Sequence, residues 1–170
     1  GELKTKPTQH SVKELRSLGI SPDCLVCRSE QELPKDEKKK IALFCSVNSD
    51  NVISMHDVET VYSITLLLNK QKVDELILRK LKIRSKKPKL SDWRRVVKAS
   101  LNPIQEVNIA FVGKYTEIQD SYKSINEALE HAGIKYKTKV NINFVLADTI
   151  TTRNVKKLIG SNDAVLVPGG

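Results

Sequence analysis

Two short runs carry side-chain types suited to binding a polyphosphate. Lys4-Thr5-Lys6-Pro7-Thr8-Gln9 places two lysines, two hydroxyls and an amide within six residues, just ahead of a helical pattern. Lysines supply charge, hydroxyls supply adaptable hydrogen bonds, and Gln9 can read a base edge or a phosphate oxygen. Amides at the start of the following helix would add partial positive charge. Lys40 closes the run Lys38-Lys39-Lys40 and directly precedes apolar Ile41. A lysine at that border can reach over the core edge to an anion. The same lysines also suit solvated loops and helix faces, and both readings stand at this point.

His56-Asp57 can be read as a general-base pair, because a carboxylate orients an imidazole. Adjacent residues on an extended chain point to opposite faces, however. The alternative is a strand-end loop, His56-Asp57-Val58, whose backbone meets a ligand. His10 and His131 fall within helix-patterned stretches. Cys24-Leu-Val-Cys27 has metal-type spacing, but no second cysteine pair or histidine pair completes a zinc set. With Cys45 the count is three, an odd set that reads as buried free thiols in a reducing compartment. The sequence contains no Gly-x-x-x-x-Gly-Lys-Ser/Thr loop, no Gly-x-Gly-x-x-Gly and no Gly-x-Cys-x-Gly elbow. No catalytic constellation is complete.

The elements that must position these residues follow from periodicity. Val12, Leu15 and Leu18 predict a helix over 11–18, stopped at Gly19. Residues 23–27 predict a short buried strand, 35–44 a helix entering the core, and 51–55 a second strand. One long helix is predicted over 60–83 from the face Val61, Ile64, Leu67, Leu68, Val73, Leu76, Ile77 and Leu81. Arg84 to Leu90 is basic, contains Pro88 and reads as a linker. Ser91 caps a short amphipathic helix that ends at Asn102-Pro103. A new unit starts at Glu106, with strands over 107–112, 140–146 and 164–167 and helices over 121–131 and 152–159. This β-α-β-α-β order predicts a parallel, doubly wound sheet whose ligand edge holds Gly113-Lys114-Tyr115 and Pro168-Gly169-Gly170. A strand delivered into Gly-Gly points to a piece of a longer protein.

Composition bounds the function. The 170 residues are 39% hydrophobic and 29% charged, an ordinary globular mixture. No stretch approaches the roughly 20 apolar residues of a membrane span, and no secretory leader is visible. The net charge is +9, but ten of the 29 bases and one of the 20 acids lie between Arg79 and Lys98. That leaves 19 of each elsewhere. The excess is local, and with Trp93 as its one aromatic the segment has no recognisable nucleic-acid reading motif.

Several runs resemble the CTP synthase family. They are Gly1 to Asp23, Val26-Cys-Arg28, Lys40-Ile-Ala-Leu-Phe44, Val52-Ile-Ser-Met-His-Asp-Val58, Val112-Gly-Lys-Tyr115, Asp120 to Leu129 and Val165-Leu-Val-Pro-Gly-Gly170. The likeness is weakest between about residues 83 and 105. It implies parts of two doubly wound parallel-sheet α/β domains. Residues 1–83 would be the end of an amidoligase domain with a P-loop fold like dethiobiotin synthetase, 84–105 a linker, and 106–170 the start of a class I glutamine amidotransferase domain. Such enzymes make CTP from UTP, ATP and glutamine. ATP phosphorylates the uracil O4, and ammonia released from glutamine displaces the phosphate.

By the same resemblance, Lys4, Thr5, Lys6, Pro7, Thr8, Gln9 and Lys40 would meet UTP, and CTP as feedback inhibitor. His56, Asp57 and Val58 would line the ATP site, and Gly170 would sit by glutamine. The family uses Mg²⁺ and is activated by GTP. It works in the cytoplasm as a homotetramer that can extend to filaments. The Mg²⁺ ligands and the amidotransferase triad would lie outside this chain, so the chain alone should have neither activity. The alternative from the residues alone is a non-catalytic, nucleotide-binding regulatory module.

Overall fold

The computed structural model describes residues 3–118 and 120–169. The chain divides into two units, Gly1–Leu90 and Ser91–Gly170.

The first unit opens with α1, Lys6–Ser17, which begins well before the apolar periodicity does. Pro7 lies in its first turn, where a fixed φ and a missing N–H are tolerated. The polar first turns carry no hydrophobic signal, which is why spacing alone starts the helix at Ser11. Gly19, at φ +81°, ends it, with the Gly19 and Ile20 amides donating to the Arg16 and Leu15 carbonyls. β1, Leu25–Ser29, pairs in parallel with β2, Val52–His56, in the register Leu25↔Val52 to Ser29↔His56. α2, Lys35–Cys45, joins them.

β2 shows how a strand builds two cores. Successive side chains leave opposite faces of a strand. Val52 therefore joins Val12, Cys27, Leu33, Ile41, Ala42 and Cys45, while Ile53 joins Val73 and Leu76. Both β2 residues are 1% exposed, and burying each contributes roughly 1.5–3 kcal/mol.

The stretch predicted as one helix over 60–83 is two, α3 (Ser63–Lys70) and α4 (Val73–Lys80). Lys72 takes a left-handed φ of +58° between them. The apolar pattern runs straight through this break, and a polar residue decides it. Gln71 accepts the Ser54 amide proton at 2.9 Å and donates to the Ser54 carbonyl at 2.8 Å. This clamp satisfies strand groups that an unbroken helix would leave bare. Residues 83–90 follow without regular structure.

In the second unit, α5 (Ser91–Leu101) precedes β3 (Gln105–Gly113), α6 (Lys123–Tyr136), β4 (Thr138–Leu146), α7 (Val155–Ile159) and β5 (Ala164–Leu166). The sheet is wholly parallel in the order β4-β3-β5. Phe111, fully buried in β3, packs its ring at a tilt against Tyr122 and Phe144, with centroids 4.7 Å and 5.2 Å away. α6 runs past His131 because Gly133 continues the helix. A Cβ there would meet the Thr138 carbonyl oxygen at 2.5 Å, so glycine lets α6 end tightly against β4. α5 belongs to this unit, and the Ile104 amide donates to the Lys137 carbonyl at 2.7 Å. The mixed α/β class with parallel sheets is as the sequence predicts.

Candidate functional site

The loop before α1 and the middle of α2 meet around one recess of about 620 Å³, lined by Leu3, Lys4, Thr5, Lys6, Pro7, His10 and Lys40. That volume lies within the roughly 300–1,000 Å³ typical of small-molecule sites. Thr5 is 6% exposed. Its hydroxyl accepts a hydrogen bond from Gln9 Nε2 at 3.2 Å, and its carbonyl accepts the Gln9 amide proton at 3.2 Å. The loop is thus held by local bonds, while Lys4, Lys6 and Lys40 are exposed. Lys40 Nζ lies 3.9 Å from Glu37 Oε2, a weak helix-surface pair that a multivalent anion can displace. Three ammonium groups around one recess suit a phosphate chain.

Five of the seven residues singled out by sequence line this recess. Thr8 instead turns toward Cys27. Gln9, apart from its bond to Thr5, borders a groove with Val12, Lys13, Arg16 and Phe44. His10 was not singled out, yet it lines the recess. Its signal was spacing, since it stands three residues after Pro7 and four after Lys6, on one helix face.

His56, Asp57 and Val58 stand at the carboxyl ends of β1 and β2, where parallel sheets bind ligands. His56 and Asp57 form no pair. Asp57 is ion-paired with Arg28 Nη1, and its amide donates to the Ser29 carbonyl at 3.1 Å. His56 is half-buried and its Nδ1 has no hydrogen-bond partner. Arg28 is the residue that sequence reasoning missed at this edge. Its signal is a charge within a mostly apolar strand, one position before Ser29, the strand partner of His56.

In the second unit the turn after β3 is fixed by one hydroxyl. Tyr122 Oη accepts the Lys114 and Tyr115 amide protons at 3.2 and 3.4 Å. A Cβ on Gly113 would come within 2.8 Å of that oxygen, so any larger residue there would have to displace the Tyr122 ring. β3 is flanked on both sides, and the strand order reverses beside β5, where open α/β sheets form their crevice. Gly113-Lys114-Tyr115 and Val167-Pro168-Gly169 leave the sheet at that edge. Gly170 lies outside the described residues.

The cysteines are free, with Cys27 and Cys45 buried. Burial pushes both thiols above their ordinary value of 9.0; for Cys27 the neighbouring Cys45 adds to this, and Lys38 and Thr8 oppose it. Among the described residues no three His, Cys, Asp or Glu side chains converge to hold a metal ion. No described helix is long and apolar enough to cross a membrane.

Two parallel-sheet units define an α/β protein, with a lysine-lined recess between the loop before α1 and the middle of α2 in the first unit. Residues 1–83 match the family model of the CTP synthase N-terminus. Along its whole length the chain is 49% identical, over 170 residues, to a CTP synthase of Caldanaerobacter subterraneus subsp. tengcongensis. The chain is a segment of the CTP synthase family, and it spans 32% of the length of that relative. This match does not favour a free-standing regulatory module.

Proposed function

We propose that the chain serves a glutamine-hydrolysing CTP synthase, a ligase that aminates the uracil ring of UTP with ATP and glutamine in pyrimidine nucleotide synthesis. In this reading 1–83 closes a P-loop-type amidoligase domain, 84–105 connects it to the glutamine amidotransferase domain that 106–170 opens, and within that connection α5 packs with the second unit while residues 84–90 lack regular structure. Lys4, Thr5, Lys6, Pro7 and Lys40 hold the phosphates of UTP, or of CTP as inhibitor, with Thr8 and Gln9 shaping the helix behind them. His56, Asp57 and Val58 border ATP, and Gly170 borders glutamine. Mg²⁺ would be held by residues beyond this chain. GTP activation, homotetramer or filament assembly and a cytoplasmic setting belong to the same proposal.

The observation that carries it is the convergence of Lys4, Lys6 and Lys40, from segments more than thirty residues apart, on one recess. Several negative charges on a triphosphate are best met by several cations that approach from different directions. The chain's own residues do positioning work here. Thr5 and Gln9 brace the loop, and the lysines neutralise the phosphates. Lys6→Ala in the full-length enzyme should raise the UTP KM or weaken CTP inhibition by about tenfold, the loss of one charge-assisted contact of about 1.5 kcal/mol. Unchanged values for both would remove Lys6 from the site.

A further inference from the structure

The run Lys38-Lys39-Lys40 does not form one solvated face. Lys40 lines the recess described above, whereas Lys38 and Lys39 line a different one, about 620 Å³ in volume, between α2 and α4. Six cations surround this second recess, namely Lys35, Lys38, Lys39, Lys70, Lys72 and Arg79. Against them stand two carboxylates, Asp50 and Glu75, which leaves four positive charges in excess. The arrangement follows from helix geometry. Lys35, Lys38 and Lys39 sit at i, i+3 and i+4 on α2, and Lys72, Glu75 and Arg79 at i, i+3 and i+7 across the start and length of α4. Two basic helix faces therefore oppose each other across a floor of β2.

We propose that this recess is a second anion site, for a short polyphosphate bound through its phosphates alone. One wall is built in advance. Lys38 is half-buried and donates to Gln71 Oε1 at 3.1 Å, and Gln71 is itself fixed to both backbone groups of Ser54. Lys38 Nζ has three protons, and this bond uses one of them. Lys39 has only a surface contact with Asp36 at 3.6 Å, which contributes little. Like charges this close repel one another until a polyvalent anion neutralises them. No aromatic side chain lines the recess, so a base has nothing to stack on. The ligand is thus recognised by its phosphates, and a nucleotide has no advantage over an inorganic chain of the same charge. The site does not depend on the proposed enzymatic role.

Calorimetric titration of the full chain tests the proposal, with tripolyphosphate and ATP as probes. The chain should carry Lys4→Ala, Lys6→Ala and Lys40→Ala, to remove the other lysine recess. Tripolyphosphate should still bind at one site, ATP should bind within about threefold of it, and both should weaken as salt rises. Adding Lys35→Glu with Arg79→Glu, both exposed positions, should lower the affinity at least about tenfold while thermal melting stays unchanged. The milder pair Lys35→Gln with Arg79→Gln should fall between. Loss of binding in the Lys4, Lys6 and Lys40 background would overturn the proposal. So would indifference to the Lys35 and Arg79 changes, or a strong preference for ATP over tripolyphosphate.

Discussion

Tyr122 and the two buried cysteines show how single atoms set local stability. The Tyr122 hydroxyl accepts two amide protons from the turn after β3 and also fills the space that a Cβ on Gly113 would need. Tyr122→Phe keeps the ring against Phe111 and loses only the acceptor. It should destabilise the chain by about 1–3 kcal/mol in urea denaturation, the penalty for amides left without partners. Gly113→Ala should be at least comparable, since overpacking typically costs about 1–3 kcal/mol. A Tyr122→Phe midpoint equal to that of the parent would show that water replaces the hydroxyl.

The thiols give a pH dependence with a definite sign. Burial raises Cys27 and Cys45 above 9.0, so the folded chain favours their neutral forms. Their contribution is fully present below the ordinary thiol value and is lost as pH rises toward the raised folded values. Stability should therefore fall above about pH 9, and Cys27→Ala with Cys45→Ala should flatten that fall. At pH 8 a thiol-reactive dye should label half-buried Cys24 first, and Cys27 and Cys45 only after denaturant is added. Rapid labelling of all three in the native chain would contradict their burial.

At the scale of elements, the clamp between Gln71 and Ser54 explains both a break and a floor. Gln71→Ala should leave the Ser54 amide and carbonyl without their partner and cost about 1–3 kcal/mol per group, read as a lowered urea midpoint. Gln71→Glu keeps the acceptor but not the donor, and should lie between the two. This residue also marks where the sequence stops being legible. Strand and helix order in both units follows from periodicity, because the faces that bury Val12, Val52, Leu76 and Phe111 are written in apolar spacing. The α3–α4 break is not, because the apolar face continues across it and one side-chain amide 17 residues from Ser54 makes the difference. The recess of Lys4 to Pro7 was readable as a set of residue types. That Lys40 reaches it while Lys38 and Lys39 face elsewhere depends on helix phase relative to a neighbour that spacing alone does not name. Arg28 and Asp57 meet only through the register of β1 with β2.

For the whole molecule, the charge excess and the division into units fall in the same place. Residues 83–90 are exposed except for Leu90, lack regular structure and separate two units that each have their own buried residues. The first is built around Val52 and Ile53, the second around Ala110 and Phe111. Arg84, Lys86, Lys87 and Lys89 all lie in this stretch. Exposed backbone without helix or strand bonds fits readily into a protease cleft, whereas lysines on α2 or α6 require local unfolding first. Brief trypsin treatment should therefore cut first between Arg84 and Lys89, sparing the bond before Pro88. Mass spectrometry should find two fragments that then resist further cleavage, because neither loses a core strand. An early cut within α2, α4 or α6 would show instead that those helices open more readily than the basic segment. Cleavage followed by rapid loss of both fragments would show that neither core is stable without the other.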